Sequence, residues 1–89
     1  MKLTLAVKKH WFDLIKSGKK NTEYRLFNDY WKKRLLGRQY DFIEITLGYP
    51  RKNDGDKRII FRFQGYEVTT INSPEWENIP QRVFAIKLR

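Results

Sequence analysis

The chain predicts a small α+β domain whose curved, mixed sheet closes into a β-barrel of five to six strands, with two short helices between the early ones. Three observations lead there. Apolar residues alternate at a period of two in several short runs; two segments in the first half switch to helical spacing; and Gly65 interrupts the longest strand-like run. Two short helices cannot cover both faces of an open sheet this size, whereas closure removes exposed strand edges.

Residues 2–7 alternate, with Leu3, Leu5 and Val7 on the buried side of an opening strand. Over residues 8–17 the period changes. Trp11, Leu14 and Ile15 recur at helical spacing beside Phe12, and Gly18 stands just past the end, where a left-handed residue is favoured. Lys16 suits the negative end of that helix's dipole. A strand over residues 22–27 follows. Asn28 is an N-cap and Asp29 a first-turn acid for a second helix over residues 29–36, which turns Tyr30, Trp31, Leu35 and the stem of Arg34 inward and stops at Gly37.

Phe42, Ile43 and Ile45 mark a strand within residues 38–47. Residues 48–57 form a loop in which Asp54-Gly55 is a tight-turn dipeptide, so the flanking segments pair as a hairpin. Residues 58–71 read as one strand bent at Gly65, with Ile59, Phe61 and Phe63 on one face. Residues 72–81, with Pro74 and Pro80, form a second loop before a closing strand over 82–89.

A chain of 89 residues, 40% of them hydrophobic, supports one core and one domain, residues 1–89. The lack of cysteine excludes a disulfide scaffold and thiolate metal sites and suits a reducing cytoplasm. His10 is the lone histidine and cannot build a metal site by itself. No apolar run is long enough to span a membrane, and the first seven residues stop at Lys8-Lys9 without a signal-peptide pattern, so a cytoplasmic monomer is expected.

The net charge is +9, and its distribution is uneven. Residues 1–40 carry 11 basic and 3 acidic groups (+8), whereas residues 41–89 carry 8 and 7 (+1). A one-sided positive field draws in polyanions and speeds their encounter, which favours nucleic acid or a nucleotide as partner. Lys32, Lys33 and Arg34 form the densest basic run.

Within the basic half, Lys20, Glu23 and Arg25 stand together at the start of a strand. Strand alternation puts Glu23 and Arg25 on one face and Tyr24 and Leu26 on the other, while Lys20 arrives from the preceding turn. A carboxylate between two cations at a helix–turn–strand junction is either a solvated face with a weak ion pair or a functional cluster in a cleft.

The run Trp11-Phe12-Asp13-Leu14-Ile15-Lys16-Ser17-Gly18-Lys19-Lys20-Asn21-Thr22-Glu23-Tyr24-Arg25 resembles the activating-signal-cointegrator homology (ASCH) domain, whose mark is a helix, a glycine, then Lys-x-x-Glu-x-Arg entering a strand. Residues 30–37 resemble its second helix and Phe63-Gln64-Gly65-Tyr66 its curved strand, so the likeness covers nearly the whole chain. Gly37-Arg38-Gln39-Tyr40 departs from it, where the family often has Gly-Asp. The resemblance implies a barrel of the PUA-like superfamily, its helices beside a cleft that holds Lys20, Glu23 and Arg25. Members are associated with RNA; some act on modified nucleosides or cleave RNA.

Two functions from different classes follow. In a binding module, Lys20 and Arg25 take phosphate, an aromatic side chain (Tyr24, Tyr30 or Trp31) stacks a base, and Lys32, Lys33 and Arg34 track the backbone. In a hydrolase of RNA phosphodiesters or modified nucleosides, Glu23 is the general acid or base, Lys20 a second cation and Arg25 the stabiliser of developing charge. Nucleoside-deacetylating relatives carry a threonine where this chain has Glu23, and Thr22 points to the opposite strand face, which lowers amide hydrolysis. No cofactor is expected, apart from a divalent metal if the protein is a nuclease. Glu67, Glu75 and Glu77 are the candidate second acids, and residues 73–77 read as an ordinary loop or a lid.

Overall fold

The alternating segment at the N-terminus forms β1 (Lys2–Val7), which lies parallel to β3 (Phe42–Leu47), with Leu3 opposite Ile43 and Leu5 opposite Ile45. β3 pairs antiparallel with β4 (Arg58–Arg62), completing a sheet of order β1-β3-β4. The remaining strands form a second sheet. β2 (Thr22–Leu26) and β5 (Tyr66–Ile71) flank β6 (Gln81–Lys87), both antiparallel to it. The arrangement comes from a computed structural model that describes all residues, 1–89.

The expected barrel is therefore not formed: six strands make two open three-stranded sheets, and β1, β4, β2 and β5 each keep an unpaired edge. The physical reason lies in Gly65 and in the core. Residues 58–71 are not one bent strand; Gly65, at φ 86°, breaks them into β4 and β5, which join different sheets. A left-handed residue redirects the chain where a strand cannot continue. The two sheets then cover one another. Leu3, Leu5, Ile43 and Ile45 from the first share one buried cluster with Phe84 and Ile86 from the second, and helix residues Phe12, Ile15 and Leu35 complete it. With each sheet burying the other's inner face, closure is unnecessary for covering apolar surface.

Helix α1 (Lys9–Lys16) buries Phe12 and Ile15, and its end is shaped by Gly18 at φ 83°. The Leu14 carbonyl accepts from both the Lys19 and Lys20 amides at 3.0 Å, which fixes where Lys20 leaves the turn. In α2 (Asp29–Leu35), the Asn28 side chain accepts from the Trp31 amide at 3.0 Å, the N-cap bond expected for that residue. Leu35 is buried, but Tyr30 is 54% exposed rather than turned inward, and Arg34 lies over its ring. A seven-residue helix has room for only a narrow buried stripe, which Leu35 and part of Trp31 fill.

The β3–β4 hairpin forms, yet Asp54-Gly55 is not its tight turn. The connection is a ten-residue loop (48–57) ending in a 3₁₀ turn at Gly55–Lys57, and the Arg58 guanidinium holds it by donating to the Pro50 and Arg51 carbonyls at 3.1 Å. No helix is long and apolar enough to cross a membrane.

Candidate functional site

Lys20, Glu23 and Arg25 converge. Glu23 is buried at 7% exposure, the second residue of β2. Its Oε2 accepts from Arg25 Nη2 at 2.8 Å, while Lys20 Nζ stands 3.5 Å from Oε1. The first is a charge-assisted hydrogen bond; the second is too long for one and is an electrostatic pairing that leaves ammonium donors available. Arg25 Nη2 also donates to the Ala6 carbonyl at 3.0 Å, and its Nε is buried with no hydrogen-bond partner. Arg25 is thus largely committed to the protein, and Lys20 is the freer cation.

Aromatic rings enclose this trio. Lys20 Nζ lies 5.1 Å from the centre of the Trp11 ring and 5.0 Å from that of Tyr24, and Arg25 Cζ lies 5.0 Å from that of Trp31. Two adjoining hollows open here, of about 320 and 560 Å³. Both are lined by Trp11, Glu23, Tyr24, Glu75 and Trp76; Lys20 lines the smaller one, Arg25 and Trp31 the larger. The chain has three tryptophans, and all three line this cleft.

Glu75 and Trp76 come from a 3₁₀ turn (Pro74–Trp76) that Ser73 caps and that two left-handed residues follow, Glu77 at φ 56° and Asn78 at φ 59°. Two consecutive non-glycine residues in that region are uncommon and turn the chain back sharply beside the cleft. The sequence offers Glu75 only as a candidate second acid with no placement, and gives Trp76 no role. The available signal was a tryptophan in an otherwise polar loop, which needs a surface to lie against.

The remaining expected site residues lie elsewhere. Tyr30, Lys32, Lys33 and Arg34 are on α2 outside both hollows, and α2 contributes Trp31 instead. Glu67 is on β5, 3.5 Å from Lys87, and Glu77 lines neither hollow.

The other sheet holds a second cluster of similar chemistry. Glu44, 4% exposed, accepts from Arg58 Nη1 at 3.1 Å and stands 3.4 Å from Lys2 Nζ. It lines neither hollow, so a buried carboxylate between a lysine and an arginine is not by itself a site in this fold. What distinguishes Glu23 is the cavity and its aromatic walls. Away from both clusters, the Asp41 carboxyl is held below the usual carboxylate range by a hydrogen bond from the Met1 ammonium and by its charge. No group of three or more His, Cys, Asp and Glu side chains is placed to hold a metal ion.

No protein-family model, curated protein or solved structure matches this chain.

Proposed function

We infer that the protein binds nucleic acid and that the cleft over Glu23 takes one unpaired nucleotide of a single strand, RNA in the first instance. The observation that carries this is the concentration of all three tryptophans, with Tyr24, around the Lys20–Glu23–Arg25 trio. Flat aromatic walls suit stacking on a base, and an acceptor beside a donor suits the polar edge of that base. Glu23 supplies the acceptor and Lys20 the donor. The net charge of +9 supports a polyanionic ligand. The ASCH likeness supports the same class through the Lys-x-x-Glu-x-Arg pattern alone, since the barrel it implied is not formed.

Titration with short single-stranded RNAs of mixed sequence, followed by tryptophan fluorescence, tests this directly. Binding should quench emission, and Trp76→Ala should weaken it by about 1–3 kcal/mol, the worth of one stacked base. Equal affinity in both forms would remove the cleft from the binding surface.

A hydrolase remains the second reading, favoured by one observation: Glu75 brings another carboxylate to the hollows that Glu23 lines. Glu23 would then move the proton, with Lys20 and Arg25 offsetting negative charge on the reacting group. Turnover of RNA or modified nucleosides that falls by about 10²–10⁴ in Glu23→Gln, with the fold retained, would replace the binding module with an enzyme.

A further inference from the structure

We propose that the phosphates of the bound strand are held not in the cleft but on a neighbouring patch where α2 and β6 meet, built from Phe27, Lys32 and Arg82. The proposal rests on the nucleic-acid reading for the class of ligand, and it assigns the two halves of that ligand to two places. The cations of the two places are neutralised differently. In the cleft, Lys20 and Arg25 share the Glu23 carboxylate, so a phosphate there must compete with a buried anion. The patch is different. Lys32 Nζ lies over the Phe27 ring at 4.5 Å and Arg82 Cζ over the same ring at 5.0 Å, so two cations share one aromatic ring. Neither of these two cations makes an ion pair with a carboxylate.

An aromatic face steadies a cation without cancelling its charge. Side chains steadied in this way lose less freedom when an anion arrives, which raises the share of Coulombic attraction that appears as affinity. The patch also adjoins the cleft through the backbone. Trp31, next to Lys32, lines the larger hollow, and Phe27 directly follows Leu26, which lines it too. The Phe27 amide donates to the Arg82 carbonyl at 2.9 Å, so β2 delivers the ring and β6 the guanidinium to one spot. A strand with one base in the cleft would lay its neighbouring phosphates on this patch, whereas a free nucleoside does not need it. The preferred ligand is therefore an oligonucleotide rather than a mononucleotide.

The test uses the full chain, a mixed-sequence single-stranded RNA 12-mer and a panel of nucleosides, titrated at several salt concentrations. Lys32→Gln/Arg82→Gln should flatten the slope of log affinity against log salt by about 1.4, taking 0.7 for each lost phosphate contact, and leave nucleoside binding unchanged. Trp76→Ala should weaken both ligands and leave the slope as it is. Arg51→Gln/Lys52→Gln removes the same charge from the β3–β4 loop of the other sheet and should not change the slope. An unaltered slope in the patch variant overturns the proposal, as does an equal loss in both double variants, which would reduce the patch to part of the general field. If Trp76→Ala has no effect but the patch variant does, the cleft assignment fails and the patch stands. Lys32→Gln alone, with an expected flattening of about 0.7, provides a second reading of the slope should the double variant fold poorly, as judged by its circular dichroism.

Discussion

Arg25 Nη2 donates to the carbonyl oxygen of Ala6 at 3.0 Å, from β2 at the edge of one sheet to β1 at the edge of the other. The same nitrogen reaches Glu23 at 2.8 Å. Where a barrel would have a ladder of paired strands, a guanidinium bridges two open edges and pins the cleft's carboxylate at once. Positioning of the site and joining of the sheets are therefore coupled at one side chain.

Arg25→Met keeps much of the stem beneath Trp31 and removes every donor. It leaves Glu23 with only the 3.5 Å pairing to Lys20 and the Ala6 carbonyl without its side-chain bond. The expected loss is about 3–5 kcal/mol, because one partner of a largely buried pair is gone. Urea denaturation measures it. A loss below about 1 kcal/mol would show that the bridge contributes little and that the shared core alone holds the sheets together.

Glu23→Gln and Glu44→Gln make a matched pair. Both carboxylates are buried between an arginine and a lysine, so each substitution should lower stability on the order of 3 kcal/mol, less where water reaches the exposed Lys2. Only Glu23 lines the cleft, so only Glu23→Gln should alter affinity for RNA at a temperature where both variants remain folded. Equal changes in affinity would mean that the binding effect is a consequence of lost stability.

Gly65→Ala probes the switch between sheets. An added Cβ meets nothing within 4 Å, so the penalty comes from φ alone, 86° in this structure. An L side chain in the left-handed region costs about 1–2 kcal/mol, and that is the expected loss. A neutral or stabilising result would show that the chain between β4 and β5 can turn another way.

Much of the local structure was legible because its causes are local. The alternation of Leu3, Leu5 and Val7, the Asn28 cap and the left-handed Gly18 each act within a few residues, and the elements they predict are present. Lys20, Glu23 and Arg25 also meet for a local reason. Three and two residues apart across a turn and a strand, they face one another once the Lys20 amide is tied to Leu14. Tyr30 shows the limit: helical spacing offers a direction, but only the surface available to α2 decides which residues fill it.

The pairing of strands, the lining of the cleft and the second carboxylate cluster belong to the tertiary structure. Whether six strands close or divide depends on which edges meet, and that is settled by contacts between residues far apart, such as Ile43 and Phe84 in one core. Trp76 reaches the cleft, and Arg82 reaches Phe27, only because β6 returns alongside β2, with β5 on its other side. Glu44 alternates with apolar neighbours as a solvated residue would, yet it is buried because β3 is the central strand of its sheet and Arg58 and Lys2 arrive from both sides. Local periodicity thus determined the segments and the Lys20–Glu23–Arg25 trio. The sheet order, which no short-range interaction encodes, determined what surrounds that trio.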